Sequence, residues 1–174
     1  MICKIVEGYS ASNTLKIKKL LGAIAESAPF EPNISKLASK LGLGRDTVKI
    51  YLNNLDRARL LNLLQRSTKG VAALQKPDKI YLENPNFSFA LRSDPEPGTI
   101  RETFFLNQLR NSGHTVELAK SGDFMVDQSI TFEIGGPSKT GQQITGIDNA
   151  YLALDDLEHP HLNRIPLWLF GFLY

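Results

Sequence analysis

The feature that most constrains this chain is a pair of helically spaced apolar runs separated by Gly42, Leu43 and Gly44. In the first run Ile34, Leu37, Ala38 and Leu41 form a buried stripe, and Asn33 stands where a side chain can cap the helix. Gly42 supplies the left-handed stop. The second run predicts a helix from about Arg45 to Ala58, with Val48, Tyr51, Leu52 and Leu55 on one side. An earlier helix is expected from Ser12 to about Glu26, where Leu15, Leu20, Leu21 and Ile24 alternate with lysines, and Pro29 and Pro32 break the chain after it. A helix, a tight glycine turn and another helix make the helix-turn-helix pattern. The apolar stretches LLNLLQRS and VAALQ then flank Thr68, Lys69 and Gly70, which suits a hairpin wing, and KPDKIYLEN adds a further extended segment. Residues 1–83 are therefore expected to form a winged helix-turn-helix domain.

Charge separates this region from the rest. Residues 1–78 carry 13 Lys and Arg against 6 Asp and Glu, a net of +7, while residues 79–174 carry 7 against 12, a net of −5. A basic module suits a polyanion and an acidic one suits cations. Asn84 to Pro97, with Pro85, Pro95 and Pro97 among acidic residues, reads as a linker. Beyond it GTIRETFFLNQLRNSG predicts a helix, HTVELAK, DFMVD and ITFEIGG predict three strands, Lys139 to Ile147 a polar helical segment, and AYLAL another strand. Residues 98–174 are thus a small α/β domain, and the chain as a whole is α+β. Cys3 is the only cysteine, so neither a disulfide framework nor a thiolate metal site is available. The longest apolar run, IPLWLFGFLY, falls well short of the roughly 20 residues a membrane span needs. A cytoplasmic protein without a membrane partner is expected.

On a helical wheel the face opposite the apolar stripe of the third helix carries Asp46, Lys49, Ile50, Asn53 and Arg57, with Arg45 at its flank. Such a face can enter the major groove of duplex DNA. Arg45, Lys49 and Arg57 have the chemistry for phosphates or guanine edges, and Asn53 offers the donor and acceptor that read adenine. Lys69 at the wing tip could reach the neighbouring backbone. Protein docking is the competing use of the same face, because Asp46 and Ile50 sit among the cations.

Three carboxylates stand out in the acidic half. Glu102 lies on the helix after the linker, Asp123 opens one strand, and Glu133 sits inside an apolar strand where an unpartnered acid is costly. An acid on a helix and two on successive strands can hold a divalent cation, Mg²⁺ being the hard-ligand choice. The cluster Asp155, Asp156, Glu158, His159 and His161 reads as a solvated loop, Asp127 as a turn residue, and Trp168, Phe170, Phe172 and Tyr174 as core or interdomain aromatics.

The order Gly98-x-x-x-Glu102, Asp123, Glu133-Ile134-Gly135 resembles the restriction-endonuclease-like PD-(D/E)XK core. The resemblance implies catalytic roles for Asp123 and Glu133, metal ligation by Glu102, Asp123 and Glu133, and a lysine two residues after the glutamate. Gly135 stands there instead, and Lys139 is the nearby lysine that can swing back. More broadly NISKLASKLGLGRDTVKIYLNNLDRA, KPDKIYLEN, GTIRETFFLNQL, DFMVD, FEIGG and IPLWLFGFLY, in that order, resemble the C-terminal portion of a bacterial family of P-loop (AAA-type) ATPases. In that family an ATPase domain precedes a winged helix and a nuclease-like domain. GGPSKTG lacks the phosphate-loop spacing, so ATP hydrolysis does not carry over to these residues. The expectation is a fragment of such a protein or a stand-alone relative, with a P-loop ATPase as a partner in the same or a neighbouring chain. Binding of duplex DNA without catalysis is the expected activity. The alternatives are a Mg²⁺-dependent nuclease using Asp123, Glu133 and Lys139, and a protein-interaction or regulatory module.

Overall fold

A computed structural model describes residues 11–66, 76–92 and 94–173. Their contacts divide into two units, one built from 11–63 with 76–92 and the other from 64–66 with 94–173. The chain is mixed α+β, as its sequence implies.

In the first unit α1 (Ala11–Ala25), α2 (Ile34–Leu41) and α3 (Arg45–Arg57) enclose a core that includes Leu20, Ile24, Val48, Leu52 and Leu55, each at 2% exposure or less. Burying a side chain of this size stabilises the fold by about 1.5–3 kcal/mol. α2 starts where the sequence places its cap: the Asn33 side-chain oxygen accepts the Lys36 N–H at 2.9 Å. It stops at Gly42, whose φ of 63° is left-handed backbone. The end of α3 is tied to the next element by Asp56, which accepts the Leu63 N–H at 3.0 Å.

β1 (Leu61–Leu64) and β2 (Lys79–Leu82) form a two-stranded sheet, and Phe30, between α1 and α2, bridges to Ile80 in antiparallel fashion. The expected wing tip, Thr68 to Gly70, and the VAALQ strand lie outside the described residues. The stretch read from sequence as a linker carries a helix of its own, α4 (Pro85–Leu91). Asn84 caps it by accepting the Asn86 N–H at 2.9 Å, and Pro85 sits in the first turn, where its missing N–H costs nothing. Phe87 packs onto the first unit's core, so this proline marks a helix start.

The second unit is a five-stranded sheet in the order β3 (Val116–Leu118), β4 (Phe124–Val126), β5 (Ile130–Gly135), β6 (Ala150–Leu154), β7 (Arg164–Pro166). β3, β4 and β5 are an antiparallel meander, whereas β6 and β7 run parallel to β5. Asp127 and Gln128 turn the β4–β5 hairpin with φ of 47° and 57°, and the Ser129 N–H donates to the Val126 carbonyl at 3.1 Å across them. Beside β3, Gln65 accepts the Leu118 N–H at 2.9 Å, so the chain just after β1 joins this second sheet.

Strand parity sorts the sheet into two faces. Leu118, Phe124, Phe132 and Ile134 share one face, which α5 (Pro97–Asn111) covers. Phe105 of α5 is wholly buried there, its ring 5.0 Å from Phe132 and 4.6 Å from Phe170. Phe170 belongs to a 3-10 helix, Leu167–Phe172, that begins directly after Pro166. The opposite face carries Thr131, Glu133, Ala150, Leu152 and Leu154, with Ile144 packed against the last three. The polar helix expected over Lys139 to Ile147 is reduced to a 3-10 turn, Gln142–Ile144, because Gly141 and Gly146 adopt left-handed backbone on either side of it. Among the described residues no helix is long and apolar enough to cross a membrane.

Candidate functional site

The first unit presents the outward face of α3. Arg45, Asn53 and Arg57 are solvent-exposed, opposite the buried Val48, Tyr51, Leu52 and Leu55. Lys49 is partly restrained: its ammonium lies 3.4 Å from Asp46 one turn earlier. Ile50 is 55% exposed on the same face. The face is therefore cationic at its two ends, with a local ion pair and an aliphatic side chain between them. Lys69, the expected wing contact, lies outside the described residues.

Near the end of β5 the second unit brings Glu133 and Lys139 together, and Asp123 comes beside the same strand. Glu133 is 1% exposed, and the Lys139 ammonium reaches its Oε1 at 3.0 Å. The lysine returns over the strand because Gly135 has no side chain: a Cβ there would stand 2.7 Å from both Cβ and Cγ of Lys139. The glycine that replaces the expected lysine is thus what lets Lys139 approach. The second oxygen of Glu133, Oε2, is buried without a hydrogen-bond partner. Asp123 is engaged by the backbone, its Oδ2 accepting the Ile134 N–H at 2.6 Å. Glu102 is half-buried on α5.

These residues are not gathered into the three-carboxylate set expected for Mg²⁺. Among the described residues no group of three or more His, Cys, Asp or Glu side chains is placed to hold a metal ion. Glu102, Asp123 and Glu133 are thus not drawn into such a group, and an ammonium already stands against Glu133. A divalent ion needs several oxygens converging on one point.

Sequence reasoning missed Arg101. Its Nε donates to Asp155 Oδ2 at 2.9 Å, and its guanidinium would lie 3.3 Å from a Cβ placed on Gly136. The Asp155 N–H in turn donates to the Gly135 carbonyl at 2.9 Å. Lys139 thus lies against Gly135 and Arg101 against Gly136. An arginine early in an ordinary helix carries no local mark of this, since its partner is 54 residues away.

The remaining polar cluster resolves into separate local contacts. Asp155 takes Arg101, Asp156 has left-handed backbone with φ of 56°, and His161 bridges to Arg164 through the backbone. At the hairpin tip Asp127 accepts from His114 Nδ1 at 2.7 Å and from the Thr115 N–H at 2.9 Å. The His114 hydrogen bond, then the Thr115 N–H, hold the Asp127 carboxyl below its ordinary pKa of 3.8. Of the C-terminal aromatics Phe170 is core, whereas Trp168 and Phe172 are 51% and 65% exposed. Neither a family model, nor a curated protein, nor a solved structure matches this chain.

Proposed function

We propose that this chain is a nucleic-acid-binding module in which the first unit is a winged helix-turn-helix and the second a nuclease-like domain without turnover. The observation that carries the reading is the outward face of α3, with Arg45, Asn53 and Arg57 exposed opposite its buried stripe. A helix seated this way by the helix before it is the element that enters a major groove. The two-stranded sheet after α3, with Phe30 bridged onto it, supports the winged form of the motif. For the second unit, an α-helix followed by an antiparallel meander that continues into parallel strands is compatible with the endonuclease-like core. Its carboxylates are engaged by Lys139 and by the backbone, which favours a structural use. Within this reading the chain serves as the accessory part of a P-loop ATPase system, positioning it on duplex DNA.

The test is fluorescence anisotropy with a labelled duplex across a salt series. Binding is expected at low salt, weakening steeply as salt rises. Arg45→Ala and Arg57→Ala should each weaken it while leaving the thermal unfolding midpoint unchanged. Absence of binding at low salt would refute the proposal and leave protein docking as the use of this face.

A further inference from the structure

We propose that the exposed aromatic pair Trp168 and Phe172, with the carboxylates of Asp156 and Glu158 beside it, is a docking surface for an arginine-bearing segment of a partner protein. The surface lies wholly within the second unit and does not rest on the DNA-binding reading.

The 3-10 helix Leu167–Phe172 buries one side and exposes the other. Leu167 and Phe170 are core residues, whereas Trp168 and Phe172 stand in solvent. Their rings meet edge to face, with centroids 6.0 Å apart and planes at 89°, so they form one apolar surface instead of two scattered side chains. Phe170 anchors the helix from below through ring contacts with Phe105 and Phe132. Trp168 is fixed as well, because its Nε1–H donates to the Leu157 carbonyl at 3.1 Å. An aromatic already held in place loses little freedom on binding.

The same hydrogen bond brings an acidic loop to the indole. Its acceptor, Leu157, sits between Asp156 and Glu158, and both acids are exposed. Asp155, the acid before them, is already paired with Arg101. Carboxylates beside aromatic faces suit a planar, weakly hydrated cation. A guanidinium satisfies both parts, stacking on a ring while its fork donates to carboxylate oxygens. Tryptophan and arginine are also over-represented among the residues that carry binding at protein interfaces. Charge decides against the other occupants of an exposed aromatic patch. Residues 79–174 carry a net of −5, which repels nucleic-acid phosphates and anionic lipid headgroups.

Trp168 is the only tryptophan of the chain, so its emission reads this surface directly. The probe is a blocked peptide of alternating arginine and leucine, titrated into the full chain. A saturable change in Trp168 emission is expected. The same peptide with citrulline for arginine, equal in shape but uncharged, should give none over that range. Anisotropy of a fluorescein-labelled copy of the arginine peptide should show several-fold weaker binding to Phe172→Ala, and to Asp156→Asn combined with Glu158→Gln. These positions are exposed, and asparagine tolerates the left-handed backbone at 156, so the unfolding midpoints should match the parent's. Absence of a saturable emission change would overturn the proposal, as would equal binding of the citrulline peptide or undiminished affinity in these variants. Anisotropy that rises while Trp168 emission stays constant would place the peptide elsewhere on the acidic unit and overturn it too. A change in emission with protein concentration alone would assign the surface to a second copy of this chain, against the proposal.

Discussion

Arg59 and Glu83 form an ion pair across the end of the first unit's sheet, with Arg59 Nε 2.7 Å from Glu83 Oε1. The acid is only 8% exposed and the arginine 58%, so the pair stands at a boundary between core and solvent. The backbone joins there too, because the Glu83 N–H donates to the Leu60 carbonyl at 3.0 Å. Arg59 adopts left-handed φ of 58°, which a non-glycine residue holds only where its surroundings fix it.

Arg59→Met should therefore destabilise the first unit by about 1–3 kcal/mol, less than for a fully buried pair because one partner is solvated. Glu83→Gln should recover part of that loss in the double variant. Urea unfolding followed by far-ultraviolet circular dichroism reads both, and additive losses would show that the two residues do not act as a pair.

Asn33 closes the first turn of α2 with one hydrogen bond. Asn33→Ala should cost about 1 kcal/mol, and Asn33→Asp should restore most of it. The same urea titration checks this, with an unchanged denaturant slope expected.

On the proposed DNA face, Asp46 holds Lys49 back at 3.4 Å. Asp46→Asn should strengthen duplex binding several-fold, both by releasing the lysine and by removing a repelling charge. Lys49→Ala should weaken binding less than Arg57→Ala does. Removing one cation that pairs with a phosphate should flatten the plot of log K against log salt by about 0.9. A flat plot in the parent chain would mean that phosphates are not the ligand.

Asp127 is expected to add an acid-sensitive limb to the second unit's stability. Its carboxyl is held below 3.8 in the folded state by His114 and by the Thr115 N–H. A depressed acid contributes stability that is present above its unfolded value and lost as pH falls through its folded value. The unfolding midpoint should thus drop as pH goes from about 4 downward. Asp127→Asn should flatten that part of the profile and leave it unchanged near neutral pH apart from a constant offset. Unfolding scans over this range decide it, and an identical acid limb in both proteins would remove Asp127 from the account.

Gly135→Ala should force the Lys139 stem aside, since the added carbon would meet it at 2.7 Å. The expected cost is about 1–3 kcal/mol, in the range for overpacking. Faster acetylation of Lys139 should accompany it. A stability loss without any change at Lys139 would place the strain elsewhere in the turn.

The features legible in sequence are those whose cause is local. Asn33, Gly42 and the stripe Val48, Tyr51, Leu52 and Leu55 follow from caps and helical spacing within one or two turns. Lys139 was reached only through the resemblance, which expects a lysine where Gly135 stands. The helix at Pro85–Leu91 was hidden by the same prolines that read as a linker, although Asn84 followed by Pro85 is also a helix start. The polar run after Lys139 promised more helix than its flanking glycines allow. Arg101 was out of reach, because its role is fixed by Asp155 across the fold. What Asp123 does was equally hidden: an acid at a strand opening gives no hint that the Ile134 N–H claims it.

The change of direction after β5 also sets an order of assembly. Strands β3 to β5 are joined by short turns, so their pairings close small loops and lose little chain entropy. β6 and β7 must return to run parallel to β5, and their contacts span longer separations. The hairpins are thus expected to form early, and the pairing of the parallel strands to pace the second unit's folding. Glu133 lies on the last strand of the early part, and its register partner Leu152 comes from the late part. Glu133 is then expected to stay hydrated until β6 pairs with β5.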